Sequence, residues 1–252
     1  MKTTILNKIA IGLIASIMMN SISYAESSTT TKVTLSQAME DIKHKKYKKS
    51  LKEFEILAEK GNVDAQVFLA FLYSHGTLEE PLNDEIKKNI PYNEKLALKW
   101  LKKSSKNDFE SMYQLGLVYS TGKLGVNKNE KEALKYYQEA SKKGHSSAMY
   151  NIGNMYKDGR GGLKINYKKA IQHYKDAEKT TYEIGKYLGK NTHHSKAIYN
   201  TGYLYYQGGH GIKRNLHLAY KYFKQASIYG ENDGLIAMMA LCKENPSLKE
   251  CK

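Results

Sequence analysis

One fifteen-residue phrase occurs three times in this chain: YSTGKLGVNKNEKEA from Tyr119, YKDGRGGLKINYKKA from Tyr156 and YYQGGHGIKRNLHLA from Tyr205. Upstream of each copy lies a second shared stretch, beginning at Ser111, Ala148 and Ala197, with a weaker version at Ala65. A small residue is followed five positions later by Gly or Ala, eight later by Tyr and eleven later by Gly. The sets are Ala65/Ala70/Tyr73/Gly76, Ser111/Gly116/Tyr119/Gly122, Ala148/Gly153/Tyr156/Gly159 and Ala197/Gly202/Tyr205/Gly208. Steps of this kind place small side chains and a tyrosine on one stripe of a helix. A neighbouring helix can come close over such a stripe.

The terminal glycine of each stripe suits a left-handed helix C-cap. A second glycine follows at Gly125, Gly162 and Gly211, then an apolar plug at Val126, Leu163 and Ile212, then Asn129, Asn166 and Asn215. Asn93 holds the same place in the first unit. Asn is a favourable N-cap for a new helix. In that second helix small residues recur seven apart (Ala97/Ser104, Ala133/Ala140, Ala170/Ala177, Ala219/Ala226), with a large residue between them at Leu101, Tyr137, Tyr174 and Phe223. The glycines therefore punctuate a helix–loop–helix unit. They do not cradle a phosphate, since a Walker loop needs Gly-Lys-Ser/Thr entering a helix after a strand. An earlier helix of the second kind is SLKEFEILAEKG, from Ser50.

Unit starts are spaced 46, 37 and 49 residues apart, so two inserts are expected, at 77–92 and 178–194. A unit this small cannot bury its apolar face alone, and units must stack. The fold expected over residues 41–252 is an all-α solenoid of four to five antiparallel helix pairs. A capping helix within GLIAMMALCKENPSLKECK would close it, and a flexible 26–40 segment would lead into the first helix.

The first 25 residues stand apart. Lys2 and Lys8 flank the start of the apolar run IAIGLIASIMM, and Ser23 and Ala25 supply a small-x-small cleavage pattern. This reads as a secretory leader cut after Ala25, leaving no transmembrane span in a mature protein that is periplasmic or secreted. Lys and Arg number 40 against 25 Asp and Glu, a formal charge of +15. Losing the leader leaves 38 against 25, still +13. Export also bears on Cys242 and Cys251, nine apart in a compartment that permits disulfides. They are either bonded to each other or two unpaired thiols.

The register A-x4-G-x2-Y-x2-G-x2-G-φ-x2-N-x3-A resembles the Sel-one-like repeat family, relatives of the tetratricopeptide repeat, from about Tyr47 to the C-terminus. The family usually has Asp where Asn129, Asn166 and Asn215 stand, and both residues cap helices. The resemblance implies a right-handed superhelix acting as an adaptor for protein complexes. It also implies, for exported bacterial members, links to envelope maintenance, host interaction or virulence. On the family's geometry, first helices line the concave groove. One row would be Val67, Tyr113, Tyr150 and Tyr199, a second Phe71, Leu117, Asn154 and Tyr203, and a third Ser74, Ser120, Lys157 and Tyr206. Tyr113, Tyr150, Tyr199, Tyr203, Tyr206, Asn154 and Lys157 are the candidate groove residues for a protein or peptide partner, Tyr being a rigid amphipathic contact. The alternative is that these tyrosines pack between helices. Tyr203 and Tyr206 are the less expected of the set.

Lys99, Lys102, Lys103, Lys131, Lys135, Lys142, Lys143, Lys168, Lys169, Lys175, Lys221 and Lys224 lie on second helices, and Lys43–Lys49 adds a basic run. This face is either a solvated one or a surface attracted to anionic cell-wall glycan or lipid. Nucleic acid is not an expected partner of an exported protein. The eight His residues are scattered, no Gly-x-Ser-x-Gly elbow or Cys–His spacing occurs, and no cofactor or catalytic residue is assigned. A hydrolase of cell-wall or lactam substrates is the most distant reading and comes from the family alone.

Overall fold

The computed structural model describes residues 33–74, 84–188 and 192–252. The leader, Gly76 and the first part of the 77–92 insert lie outside the described residues. Twelve α-helices follow in order among those described, with no β-strand. They are α1 (Leu35–Lys43), α2 (Tyr47–Glu59), α3 (Val63–Tyr73), α4 (Asp84–Asn89), α5 (Glu94–Ser104), α6 (Phe109–Thr121), α7 (Glu130–Lys142), α8 (Ser146–Asp158), α9 (Tyr167–Leu188), α10 (Thr192–Gln207), α11 (Leu216–Ile228) and α12 (Asn232–Glu244). A 3₁₀ turn, Lys249–Cys251, ends the chain.

The pairs are α1/α2, α3/α5, α6/α7, α8/α9 and α10/α11, with α12 an unpaired first helix. Apart from the short α4, which packs on α2, each helix packs on its neighbours in the order of the units, so the chain forms a stacked all-α solenoid. The inserts are used differently. Part of the first forms the short α4, whose Ile86 is buried in the first core cluster. The second does not separate units three and four as a loop. Glu178–Leu188 continue α9 to 22 residues, and Thr192–His194 open α10.

The small-residue code acts through ring packing. Ala97, Ala133, Ala170 and Ala219 are fully buried, and Leu101, Tyr137, Tyr174 and Phe223 lie in the core beside them. At Gly153 a Cβ would sit 2.5 Å from Tyr174 Cε1, and at Gly202 2.9 Å from Phe223 Cδ1; at Gly116 it would run into the Tyr137 ring. The first helix must lack a side chain there because the second helix inserts an aromatic. The stripe tyrosines do the companion job, stacking on the preceding position of the second helix. Tyr119 lies on Tyr136 (5.6 Å between ring centres), Tyr156 on His173 (5.5 Å) and Tyr205 on Tyr222 (5.8 Å).

The loops repeat too. Gly122 and Gly159 close α6 and α8 in the left-handed conformation, at φ 73° and 68°. Asn93, Asn129, Asn166 and Asn215 each accept a hydrogen bond from a backbone N–H two or three residues on, at 2.9–3.1 Å. Each also donates its own N–H to the carbonyl of the stripe tyrosine before it: Tyr73, Tyr119, Tyr156 or Tyr205, at 2.7–2.9 Å. The same Asn therefore starts one helix and ties it to the end of the previous one. The plugs Val126, Leu163 and Ile212 pack against the core of the preceding unit.

The stack stops at α12. Gly234 takes the small-residue place, tight against Phe223 and Ala226 of α11. Five residues on, where complete units carry Gly or Ala, stands Met239, 63% exposed. The tail folds back instead. A disulfide joins Cys242 to Cys251 (Cα–Cα 5.3 Å), and Leu248 closes the last core cluster.

Candidate groove and basic face

The candidate groove residues do not share one environment. Tyr113, on α6, is 9% exposed; its ring stacks on His145 at 4.3 Å and tilts against Tyr137 at 5.9 Å. The structure therefore makes it a core residue: His145 caps α8, accepting the Ala148 N–H at Nδ1 while Nε2 lies 2.9 Å from Glu110 Oε2, and this fixes a flat partner over the tyrosine. Lys157 is turned toward Asp158, 2.5 Å away, and is partly buried.

The other candidates lie on the first helices of units three and four. Tyr150 and Asn154 lie on α8, and Tyr199 and Tyr203 on α10. Two residues absent from the sequence-based set join them. Tyr174 of α9 donates its hydroxyl to Asn154 Oδ1 at 2.8 Å. Asn200 of α10 reaches back with its amide nitrogen to the same oxygen at 3.1 Å and to Tyr150 Oη at 3.2 Å. The signal for Asn200 was present in the repeat register, where Gln114 and Asn151 hold the same place. Asn154 Oδ1 thus accepts twice, while Asn154 Nδ2 and Asn200 Oδ1 have no partner among the described residues. One free amide donor and one free amide acceptor lie on adjacent first helices.

Around that pair the rings are neutral hydrogen-bonding groups. Burial pushes the Tyr174 hydroxyl far above the ordinary tyrosine range, and burial with the nearby Asp233 raises Tyr199. Tyr199 tilts against Phe223 at 5.6 Å. One turn on, Tyr203 is 42% exposed, the most open of the candidate tyrosines. Tyr206 is anchored, its hydroxyl donated to Glu244 of α12 at 2.7 Å and its ring covered by the Arg214 guanidinium at 5.3 Å. The Glu244 hydrogen bond raises its pKa. Among the described residues no group of three or more His, Cys, Asp or Glu is placed to hold a metal ion, and no helix is long and apolar enough to cross a membrane.

The basic residues follow a register of their own. Counting from the buried alanine that starts each second helix, positions two, five and nine share one face. Lys99, Lys102 and Lys106 hold them on and just past α5, and Lys135, Gln138 and Lys142 on α7. On α9 they are Gln172, Lys175 and Lys179, and on α11 Lys221, Lys224 and Ile228. All twelve are exposed. Lys99 is paired with Glu59 at 2.8 Å and Lys135 with Glu132 at 2.6 Å. The other seven lysines make no ion pair among the described residues.

Comparison with known proteins agrees with this architecture. The solved Sel1 repeat protein of Oxalobacter formigenes is similar over 82% of this chain and 72% of its own, at 26% identity and a TM-score of 0.63. Also similar are c5321, a protective antigen of uropathogenic Escherichia coli with an SLR fold (20% identity, 77% of this chain, 44% of that one, TM-score 0.47), and a Sel1 repeat protein of Klebsiella pneumoniae (18%, 81% and 89%, 0.42). No curated protein sequence is a significant match. The Sel1 repeat profile matches four times, at residues 63–109, 109–145, 146–177 and 195–227. Those boundaries bracket the helix pairs from α3 to α11, and the chain accordingly belongs to the Sel1 repeat family, whose members typically mediate protein–protein interaction.

Proposed function

We propose that the protein is an exported, non-enzymatic scaffold that holds an extended peptide segment of a partner protein against the first helices of units three and four. The observation that carries this reading is the unpaired amide donor of Asn154 beside the unpaired amide acceptor of Asn200. A peptide main chain presents the complementary pair, and Tyr203 offers an aromatic face beside it. Tyr150, Tyr174 and Tyr199 pack and position this surface. Export rests on the leader sequence and is supported by the Cys242–Cys251 bond, which reducing compartments disfavour. An envelope, host-interaction or virulence setting is what the family resemblance implies for an exported member.

The test is selection of displayed random peptides on the mature chain, followed by affinity measurement on Asn154→Ala combined with Tyr203→Ala. A loss of about tenfold or more is expected, the scale of one hydrogen bond plus an aromatic contact. Peptides that bind both forms equally would remove the groove from the account. A second reading, that the basic second-helix face grips an anionic envelope component, is favoured by the lysine register.

A further inference from the structure

The lysine face has boundaries, which an ordinary solvated surface lacks. Solvated faces intersperse both signs of charge. Here, from α5 to α11, nine of twelve register positions are Lys, two are Gln and one is Ile, with no carboxylate among them. Carboxylates are present on the same helices but on other rows, among them Glu94, Glu130, Glu132, Glu139, Asp176 and Glu178. On the preceding second helix, α2, the register reads Lys52, Glu55, Glu59, so the stripe begins sharply at α5. Seven unpaired ammonium groups held on parallel helices repel one another. That cost persists in every copy of the fold and is relieved by a counter-charge.

The shape of the stripe narrows the partner. Each second helix packs closely on the first helices beside it and not on the next second helix. Seven residues of helix rise about 10 Å, so the band is a series of four rows about 10 Å wide, each set off from the next by more than one helix-packing distance of about 10 Å. A solenoid rotates slightly from repeat to repeat, and a band on its outer helices follows that curve. A flexible linear chain can track it. A flat bilayer meets its crest, and Ile228 is the one apolar residue in the register, too little for membrane insertion. A DNA duplex is stiff over about 500 Å, and bending it along such a band costs several kcal/mol. Lysine also matters here. The whole chain has two arginines, Arg160 and Arg214, and neither lies in the band. Ammonium groups act as point charges without the bidentate geometry that selects a particular phosphate or base.

We infer that the outer band of α5, α7, α9 and α11 is a binding site for a flexible linear phosphate polymer, held by charge register and without sequence readout. This rests on the second reading above and names its ligand. It is independent of the groove, which lies on the other helix layer.

The experiment titrates fluorescent long-chain inorganic polyphosphate against three forms of the mature protein over a range of salt. These are wild type, a band variant Lys102→Gln/Lys175→Gln/Lys224→Gln, and a control Lys88→Gln/Lys164→Gln/Lys213→Gln. The control removes the same charge from exposed positions outside the band. Circular dichroism melts confirm that all three are folded. The expected result is a loss of about tenfold or more in the band variant at moderate salt. Its salt slope should fall by about two, for three lost contacts at roughly 0.7 each, with little change in the control. Equal losses in both variants would reduce the effect to net charge and overturn the site. Tighter binding to phosphatidylglycerol vesicles than to polyphosphate, still dependent on the band lysines, would overturn the polymer while sparing the anionic-surface reading. Vesicle and polymer binding that both ignore the band would end both.

Discussion

Complete units and the terminal half-unit differ at the position that meets the second helix. In α6, α8 and α10 the fifth residue after the small start is glycine, and an aromatic from the following helix fills the space a side chain would take. In α12 that position is Met239, open to solvent, and among the described residues it is followed by the 3₁₀ turn Lys249–Cys251 and not by a second helix. Glycine in a helix interior costs about 1 kcal/mol relative to alanine. The chain tolerates that where a partner helix uses the gap and does not where none arrives. The repeat is thus written as a contact between two helices, and its last copy loses the half of the code that has no reader.

This comparison can be broken directly. Gly153→Val should drive Tyr174 from its seat and destabilise the protein by about 3 kcal/mol, the upper range of overpacking. Met239→Val should leave the melting temperature nearly unchanged. Equal effects in thermal denaturation would show that the glycine answers to something other than the ring.

The second prediction sharpens what replaces a partner helix at the end. Cys242→Ser with Cys251→Ser removes a short closed loop, worth about 2–3 kcal/mol on the chain-entropy account. Because the loop lies wholly in the tail, hydrogen exchange should rise in α12 and at Leu248 and stay unchanged in α3 to α8. A uniform rise would mean the tail supports the whole stack.

The smallest effect concerns charge. Glu59 sits between Lys103 and Lys99, whose hydrogen bonds hold its pKa near 2, below its ordinary 4.5. A lowered carboxylate pKa gives stability that is complete above the ordinary value and lost as pH falls toward 2. The group is exposed, so screening reduces the contribution. Glu59→Gln should lower the melt slightly at neutral pH, with the difference vanishing as pH falls toward 2, and should release Lys99 into the outer band, tightening polyphosphate binding about twofold, as one added contact would. Weaker binding would mean that the ion pair orients the band instead of masking it.

Much of the fold was legible because its contacts are local and repeated. Small residue, glycine, tyrosine and Asn cap recur at fixed steps, and each maps to one contact: ring insertion, ring stack or helix start. The long α9 was not legible. Residues 178–194 break the repeat spacing, and an insert that continues a helix has the same length signature as one that forms a loop. Among the site residues, Tyr113 and Tyr150 carry the same register and face different surroundings, since His145 covers one and Asn200 reaches the other. Such contacts between units depend on how far one pair is rotated against the next, which no spacing within a unit records.

The plug residues carry a mechanical consequence. Val126, Leu163 and Ile212 leave one loop and seat in the core behind it, so a hairpin cannot peel away without uncorking its predecessor. Pulled from the ends, such a chain should resist as linked blocks and let go in few large steps, a property suited to a molecule that must keep its grip while its ligand is dragged.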